Sequence, residues 1–193
     1  MRRSTTLPRW ILIPLALSAA ALFVALGLLL ATEKRVAAAA PDYRVVRTGG
    51  VEYEAMLGRP VHPGNAVDRK IVEGLGAGDR RPPRGELLFG AFISVTNDSS
   101  RALRTADRIE LRDERGRVYH PLRLPATNPY AYRPRLIHAR TRIPGRGTPA
   151  DDNLAATGLL LLFRIPAFQY DDGVLELVIH DPLHPHRTAS LTI

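Results

Sequence analysis

The chain of 193 residues carries 27 basic and 19 acidic side chains, has a net charge of +8, and contains no cysteine. The lack of cysteine excludes disulfides, thiolate metal sites, cysteine nucleophiles and attachment of a lipid through a cysteine. The basic residues either flank an uncharged N-terminal segment or alternate with acidic residues, and no basic run is interleaved with aromatic residues. This pattern is typical of a mixed solvated surface, so we predict no nucleic-acid partner.

The first feature along the chain is an uncharged segment over residues 10–31. At ~1.5 Å per residue, a helix of this length spans about 33 Å, close to the ~30 Å thickness of a bilayer's hydrocarbon core. The sequence therefore predicts an uncleaved transmembrane helix over 10–31, after a cytoplasmic tail (1–9) and before a tether (32–42). The alternative is a cleaved signal peptide, for which Ala37–Ala40 supplies small residues near a cleavage site.

The orientation of this predicted helix is not decided by flanking charge. Three basic residues precede it, and four follow within about 20 residues, so the rule that cytoplasmic flanks are the more basic gives no answer. The short tail favours a cytoplasmic N-terminus. We therefore predict a single-pass protein of the plasma membrane, whose C-terminal domain (43–193) is extracytoplasmic.

The remainder of the chain is predicted to form one globular domain. Apolar runs separated by Gly, Pro, Asn and Asp predict strands. These are 43–48, 51–57, 86–97, 109–112, 118–122, 158–166 and 174–179, with 136–140 and 187–193 as further candidates. Residues 66–75 predict one or two helical turns, and residues 123–157 predict a long proline-rich loop. Short strands with turn signals about every 8–12 residues predict a β-sandwich.

Two of these strands carry specific predictions about which side chains are buried. The strand 86–97 is apolar on both faces, which predicts a central position in its sheet. One face carries Phe89, Ala91, Ile93 and Val95, and the other carries Leu88 and Phe92. In the strand 51–57, strict alternation predicts that Val51, Tyr53, Ala55 and Leu57 share the buried face.

Three stretches carry a resemblance to a known family. They are 92–97 (Phe-Ile-Ser-Val-Thr-Asn), 109–121 (Ile-Glu-Leu-Arg-Asp-Glu-Arg-Gly-Arg-Val-Tyr-His-Pro) and 158–166 (Gly-Leu-Leu-Leu-Leu-Phe-Arg-Ile-Pro). Over residues 51–182 the chain resembles telokin-like, immunoglobulin-like domains of unknown function from membrane-anchored envelope proteins of Gram-positive, actinobacterial-type bacteria. The resemblance implies an extracytoplasmic sandwich and supplies no activity or functional residues.

The sequence departs from that family in two places. Gly158 lies one residue further from Phe163 than the family spacing, and the segment 123–157 is long and rich in proline. The predicted fold class is therefore all-β, an immunoglobulin-like β-sandwich preceded by one N-terminal transmembrane helix, with the number of strands left open.

A cluster near the C-terminus is the candidate metal site. His180, Asp181, His184 and His186 lie within seven residues of each other, and imidazole and carboxylate groups are ligands for Zn²⁺ and Cu²⁺. The alternative interpretation is a polar turn that follows the strand 174–179, because metal sites usually recruit ligands from distant segments.

Two tyrosines in the long loop are the candidate partner-binding residues. Tyr130 and Tyr132 lie in a segment that reads Asn-Pro-Tyr-Ala-Tyr, and exposed aromatic residues favour contacts with partners. The alternative is that these rings cover one end of the core.

No catalytic residues are predicted, because the sequence contains neither a nucleophile motif nor a phosphate-binding loop. We expect a non-enzymatic interaction or accessory protein of the cell envelope, without a cofactor, that contacts an envelope protein or polymer. The alternative function is a metal- or small-ligand-binding envelope module, with residues 180–186 as its site.

Overall fold

A computed structural model describes residues 45–152 and 156–193 of the chain. Residues Tyr43–Ile193 form one compact unit. The strands, in chain order, are β1 (Val45–Thr48), β2 (Val51–Val61), β3 (Glu86–Asn97), β4 (Leu103–Arg104), β5 (Ile109–Asp113), β6 (Val118–Tyr119), β7 (Leu136–Ile137), β8 (Thr141–Ile143), β9 (Leu159–Pro166), β10 (Leu175–His180) and β11 (Thr188–Thr192). The helices are α1 (Ala66–Ile71) and α2 (Ala167–Asp172).

The strands form two main antiparallel sheets. In the first sheet the order is β1-β2-β3, and β3 then pairs with β9 through residues 86–93 and with β8 through residues 95–97. In the second sheet the order is β11-β10-β5-β6. The short strands β4 and β7 form a separate pair.

The main hydrophobic core lies between the two sheets, because side chains from both sheets belong to one buried cluster. From the first sheet it contains Val51, Tyr53, Ala55, Phe89, Ala91, Ile93, Val95, Leu159, Leu161, Phe163 and Ile165. From the second sheet it contains Ile109, Leu111, Leu175, Leu177, Ile179 and Leu191. Burial of each large apolar side chain stabilises the fold by about 1.5–3 kcal/mol. The predicted all-β fold is confirmed, and Phe89, Ala91, Ile93 and Val95 of β3 share one buried face as predicted.

A second, smaller core covers the outer face of the first sheet. Leu88 and Phe92 of β3 point into it, as predicted, together with Leu160 and Leu162 of β9. The residues that cover them come from α1, the turn after it, and the loop before β7, and include Ile71, Val72, Leu75 and Leu124. Strands β3 and β9 are therefore buried on both faces, which explains their continuous apolar sequences.

The prediction for Leu57 was wrong, because β2 contains a bulge. Ala55 pairs with Ile93, whereas Leu57 already pairs with Phe92, so Met56 is the extra residue. A bulge reverses the alternation of side chains after it. Leu57 is consequently 39% exposed, although Val51, Tyr53 and Ala55 are buried as predicted.

The long loop predicted over residues 123–157 contains β7 and β8, and part of it runs along the free edge of β9. The Leu160 N–H donates to the Tyr130 carbonyl at 2.7 Å, and the Tyr132 N–H donates to the Leu160 carbonyl at 2.9 Å. This segment therefore covers an edge strand that would otherwise expose unpaired backbone groups.

Two linked predictions are corrected. The first is a transmembrane helix in front of the sandwich, and the second is a single-pass plasma-membrane location with an extracytoplasmic domain. Across residues 45–152 and 156–193, no helix is long and apolar enough to cross a membrane. Both described helices have six residues, or about 9 Å at ~1.5 Å per residue. The predicted helix at 10–31, the tail and the tether lie outside the described residues.

Candidate functional site

A buried carboxylate on the outer face of the second sheet is the centre of the candidate site. Alternation along β5 turns Ile109 and Leu111 into the main core and leaves Glu110 on the opposite face. The Glu110 side chain is nevertheless only 3% exposed. A carboxylate in such a position requires partners that replace its lost hydration.

Three side chains from different segments surround this carboxylate. Arg108 donates to Glu110 Oε1 through Nε at 2.8 Å, and its Nη2 lies 2.6 Å from the same oxygen. His180 Nε2 of β10 lies 3.2 Å from Glu110 Oε2. His120 Nδ1, just after β6, lies 3.7 Å from Oε1. The antiparallel register of β10 against β5, in which Val178 faces Glu110, places His180 beside this carboxylate.

The electrostatic balance at Glu110 favours the ionised form. Burial alone would raise the pKa of Glu110, but the hydrogen bonds from Arg108 and His180 outweigh burial and hold the pKa below its usual range. The carboxylate therefore remains charged and keeps Arg108 in place.

A cleft lies beside this cluster and shares two of its side chains. Its volume is about 310 Å³. The residues that line it, referred to here as the His120 cleft, are Asp107, Arg108, Ile109, His120, Pro121, Tyr132, Pro134 and Leu161. Asp107, Arg108 and His120 are exposed, so the cleft offers hydrogen-bonding groups of both charges next to proline and tyrosine surfaces.

Two tyrosines fix the backbone that forms one wall of the His120 cleft. The Tyr53 hydroxyl accepts a hydrogen bond from the Ala106 N–H at 2.6 Å, and the Tyr132 hydroxyl donates to the Ala106 carbonyl at 2.6 Å. Burial raises the pKa of Tyr132 above its usual range, and the neighbouring Tyr53 raises it further. Tyr132 is therefore neutral and acts as a hydrogen-bond donor in the wall of the cleft.

The two histidines of the cluster differ in their contacts with Glu110. His120 Nδ1 lies 3.7 Å from Glu110 Oε1, which is too far for a hydrogen bond. His180 has Glu110 on one ring nitrogen and the Pro185 carbonyl, at 3.2 Å, on the other. Neither nitrogen of His180 is free for a substrate.

The four residues of the predicted metal site are divided between different roles. His180 contacts Glu110, whereas Asp181 accepts the backbone N–H groups of Gly49 (3.2 Å), Leu183 (2.7 Å) and His184 (3.0 Å). These bonds outweigh the effect of burial and hold the pKa of Asp181 below its usual range.

His184 and His186 are exposed, and their ring centroids lie 6.1 Å apart. Within residues 45–152 and 156–193, no group of three or more histidine and acidic side chains is arranged to hold a metal ion. Metal binding at residues 180–186 stays a prediction, and the arrangement there is that of a capped polar turn.

The two predicted partner-binding tyrosines both pack against the hydrophobic core and are half-buried. Tyr132 also lines the His120 cleft, whereas Tyr130 lies between the two cores. Tyr132 and Arg108 line the same cleft. Arg108 in turn contacts Glu110, which also contacts His180. One predicted partner-binding residue and one predicted metal ligand therefore lie near the same cluster.

Sequence analysis did not identify Arg108, Glu110 or His120 as site residues. Arg108 and Glu110 belong to a stretch of alternating charges that predicts an ordinary solvated strand. The residue that could have pointed to the site is Glu110. Its strand β5 lies between two other strands, and an acidic side chain buried there needs partners from neighbouring segments.

Two solved structures resemble the domain. The first, a "putative lipoprotein (ycdA)" from Bacillus subtilis subsp. subtilis str. 168, has a TM-score of 0.50 and 10% sequence identity, and the match covers 78% of this chain and 38% of that chain. The second, the yjhA protein from Bacillus subtilis, has a TM-score of 0.42 and 12% identity, with 74% and 82% covered. The chain therefore spans well under half the length of the ycdA structure.

No family model and no curated protein matches the sequence. At 10% identity, the likeness to the ycdA structure shows the fold alone. The sequence-based resemblance is thus confirmed at the level of an all-β domain shared with a bacterial lipoprotein-like structure. It is not supported at the level of a telokin-like, immunoglobulin-like family.

Proposed function

We propose that this domain is a non-enzymatic binding module, and that the His120 cleft contacts a short extended segment of another protein. The observation that carries the proposal is the juxtaposition of Tyr132 with Asp107 and Arg108 in one cleft. Tyrosine and arginine are enriched where proteins bind their partners. The exposed acidic and basic groups supply both an acceptor and donors for the polar backbone of a peptide.

The rigidity of the site supports this proposal. Two tyrosine hydroxyls hydrogen-bond to the backbone of Ala106. The neighbouring Thr105 N–H donates to the Arg135 carbonyl at 2.9 Å, and the Arg135 N–H donates to Thr105 Oγ1 at 3.0 Å. A wall that is already ordered loses little conformational entropy on binding.

A small ligand is the second candidate occupant. The volume of about 310 Å³ lies at the lower end of the ~300–1,000 Å³ range of small-molecule sites. The cleft is not enclosed but opens to solvent, which favours a segment of a larger partner.

The ycdA protein is called a putative lipoprotein, but we do not propose a lipid anchor of that kind for this chain. Lipid attachment of that kind requires a cysteine, and these 193 residues contain none. The predicted class of partner, an envelope protein or polymer, stays a prediction.

The proposal can be tested by site-specific photo-crosslinking in cells that make the full chain. A photoreactive amino acid replaces His120, which is 71% exposed, and in a control it replaces Val67 of α1, which is 44% exposed. We expect a discrete protein adduct from position 120 that is absent from position 67 and is reduced at least fivefold by Arg108→Glu.

The outcomes of this experiment separate the candidates. Adducts of the same pattern from both positions, or no discrete adduct from position 120, would contradict a protein-binding cleft. An adduct at position 120 that adds less than about 1 kDa to the mass of the chain would instead support the small-ligand occupant.

A further inference from the structure

The connection between β2 and β3 carries an uncompensated positive charge on a different part of the surface. Five exposed basic side chains in this connection form no ion pair within the described residues. They are Arg69, Lys70, Arg80, Arg81 and Arg84. None of them belongs to the His120 cleft.

The acidic residues of the same connection do not neutralise this charge. Asp68 is buried and is bound by Arg59 at 2.6 Å. Asp79, which precedes Arg80, is paired with Arg164 of β9. Glu73 is the one acidic residue between 62 and 85 that has no ion pair in the described part of the chain. The connection therefore presents a net positive surface.

A cleft of about 520 Å³ opens between the turn before α1 and the loop after it. Its lining residues, referred to here as the Arg80 cleft, are Pro63, Gly64, Ala77, Arg80 and Arg81. Arg80 Nε donates to the Leu75 carbonyl at 2.7 Å, which positions the guanidinium while its terminal nitrogens make no hydrogen bond in the described residues. Two arginines with available donors thus face a space walled otherwise by small or apolar side chains.

The chemistry of these groups matches phosphate. A guanidinium presents its donors in a planar fork that fits two oxygens of a phosphate group. Gly64 and Ala77 add little bulk to the lining, which leaves room for a tetrahedral anion. No aromatic side chain lines the Arg80 cleft, so stacking on nucleic-acid bases is not part of the recognition. The cleft also lacks the large apolar side chains with which a surface inserts into a bilayer.

We propose that the Arg80 cleft binds the phosphate groups of a linear polyanion, with Arg80 and Arg81 as direct ligands. The other three basic residues of the same connection, Arg69, Lys70 and Arg84, favour a repeating anion over a single one. This site is independent of the His120 cleft.

The test measures binding of fluorescent inorganic polyphosphate to the full chain at fixed salt, with monophosphate and anionic phospholipid vesicles as separate probes. The variant is Arg80→Glu/Arg81→Glu. The matched control is Arg142→Glu/Arg146→Glu, which makes the same charge change at two exposed arginines without ion pairs in the described residues. Arg81→Ala is a milder variant, because Arg81 makes no hydrogen bond in the described residues.

We expect the cleft variant to weaken polyphosphate binding at least tenfold, Arg81→Ala to weaken it at least threefold, and the control to weaken it less than threefold. The cleft variant should also reduce the steepness of the salt dependence more than the control does. Equal losses in the two charge-reversal variants would show diffuse attraction and overturn the proposal. So would vesicle binding that depends on Arg80 and Arg81 without polyphosphate binding, or monophosphate binding as tight as that of the polymer.

Discussion

Tyr53 and Tyr132 hold opposite sides of a single residue, since the Tyr53 hydroxyl accepts from the Ala106 N–H and the Tyr132 hydroxyl donates to the Ala106 carbonyl, both at 2.6 Å. Tyr53 comes from the first sheet, whereas Tyr132 comes from the loop segment along β9. Ala106 leads directly into β5 and the His120 cleft. This clamp therefore ties the wall of the cleft to the interior of the sandwich.

The clamp predicts coupled effects of removing the two hydroxyls. Tyr53→Phe and Tyr132→Phe should each lower the free energy of unfolding by about 1–3 kcal/mol, because each leaves a backbone group of the fully buried Ala106 unsatisfied. The loss of stability in the double variant should differ from the sum of the two single losses by about 0.5 kcal/mol or more, since both bonds depend on the position of Ala106. Urea denaturation of the four proteins measures this coupling. Strict additivity would show that the two hydroxyls act independently.

Glu110 predicts a specific dependence of stability on pH. Its folded pKa lies below its ordinary value of 4.5, so its ionised form stabilises the fold above pH 4.5, and this contribution is lost as the pH falls through the folded pKa. Glu110→Gln should therefore destabilise the protein by about 1–3 kcal/mol near neutral pH. The difference from wild type should shrink as the pH falls below about 4.

The control for this measurement is Glu73→Gln, which removes a carboxylate at an exposed position without an ion pair in the described residues. Unfolding midpoints in urea from about pH 3 to pH 7 provide the comparison. A destabilisation by Glu110→Gln that stays constant across this range would show that the charge of Glu110 is not what stabilises the cluster.

Much of the strand structure could be predicted because burial leaves a periodic trace in the sequence. β3 begins at Glu86 and ends at Asn97 as predicted, since its two apolar faces contact two separate cores. The bulge at Met56 left no comparable trace, because alternation on both sides of it remains regular. Helix α1, within the predicted 66–75, and helix α2, which was not predicted, have six residues each, and a helix this short shows little periodicity in its sequence.

The candidate site could not be predicted, because its groups meet only through the register of strands. Glu110 and His180 are 70 residues apart in sequence, and a shift of one residue between β5 and β10 would turn His180 away from Glu110. The metal site at 180–186 was predicted because its residues are close in sequence, and this stays a prediction. In the structure the Asp181 carboxylate caps the turn after β10.

The aromatic residues of the two cores give a direct test of the packing. Phe92 and Phe163 are both fully buried, one in each core. Phe92→Ala and Phe163→Ala should each cost about 3–5 kcal/mol in the free energy of unfolding. Phe168→Ala is the control, since Phe168 is 45% exposed on α2, and it should cost less than about 1.5 kcal/mol. A cost at Phe92 no larger than that at Phe168 would show that the second core contributes little to stability.

The three hydrogen bonds that Asp181 accepts predict a loss of stability when its carboxylate is removed. Asp181→Ala should lower the free energy of unfolding by about 1–3 kcal/mol, because three backbone N–H groups lose their acceptor. His184→Ala and His186→Ala should have little effect, since both side chains are exposed. Titration of the wild type with Zn²⁺ should leave the thermal midpoint unchanged. A rise in this midpoint that disappears in both histidine variants would support the metal-site hypothesis.

Two glycines with positive φ should differ sharply in their tolerance of alanine. Gly116 (φ 76°) lies in the hairpin between β5 and β6, and a Cβ added there would meet no atom within 4 Å. Gly158 (φ 123°) begins the approach to β9, and its Cβ would lie 3.1 Å from both the backbone nitrogen and oxygen of Ile93 in the centre of β3. Gly116→Ala should cost about 1–2 kcal/mol, from backbone strain alone. Gly158→Ala should cost at least about 3 kcal/mol, because two effects combine. The backbone conformation is strained for alanine, and the new Cβ clashes with the backbone of β3. This central strand cannot move without breaking its hydrogen bonds to two neighbouring strands. Urea denaturation of both variants measures the difference, and equal costs would contradict the close approach of Gly158 to the backbone of β3.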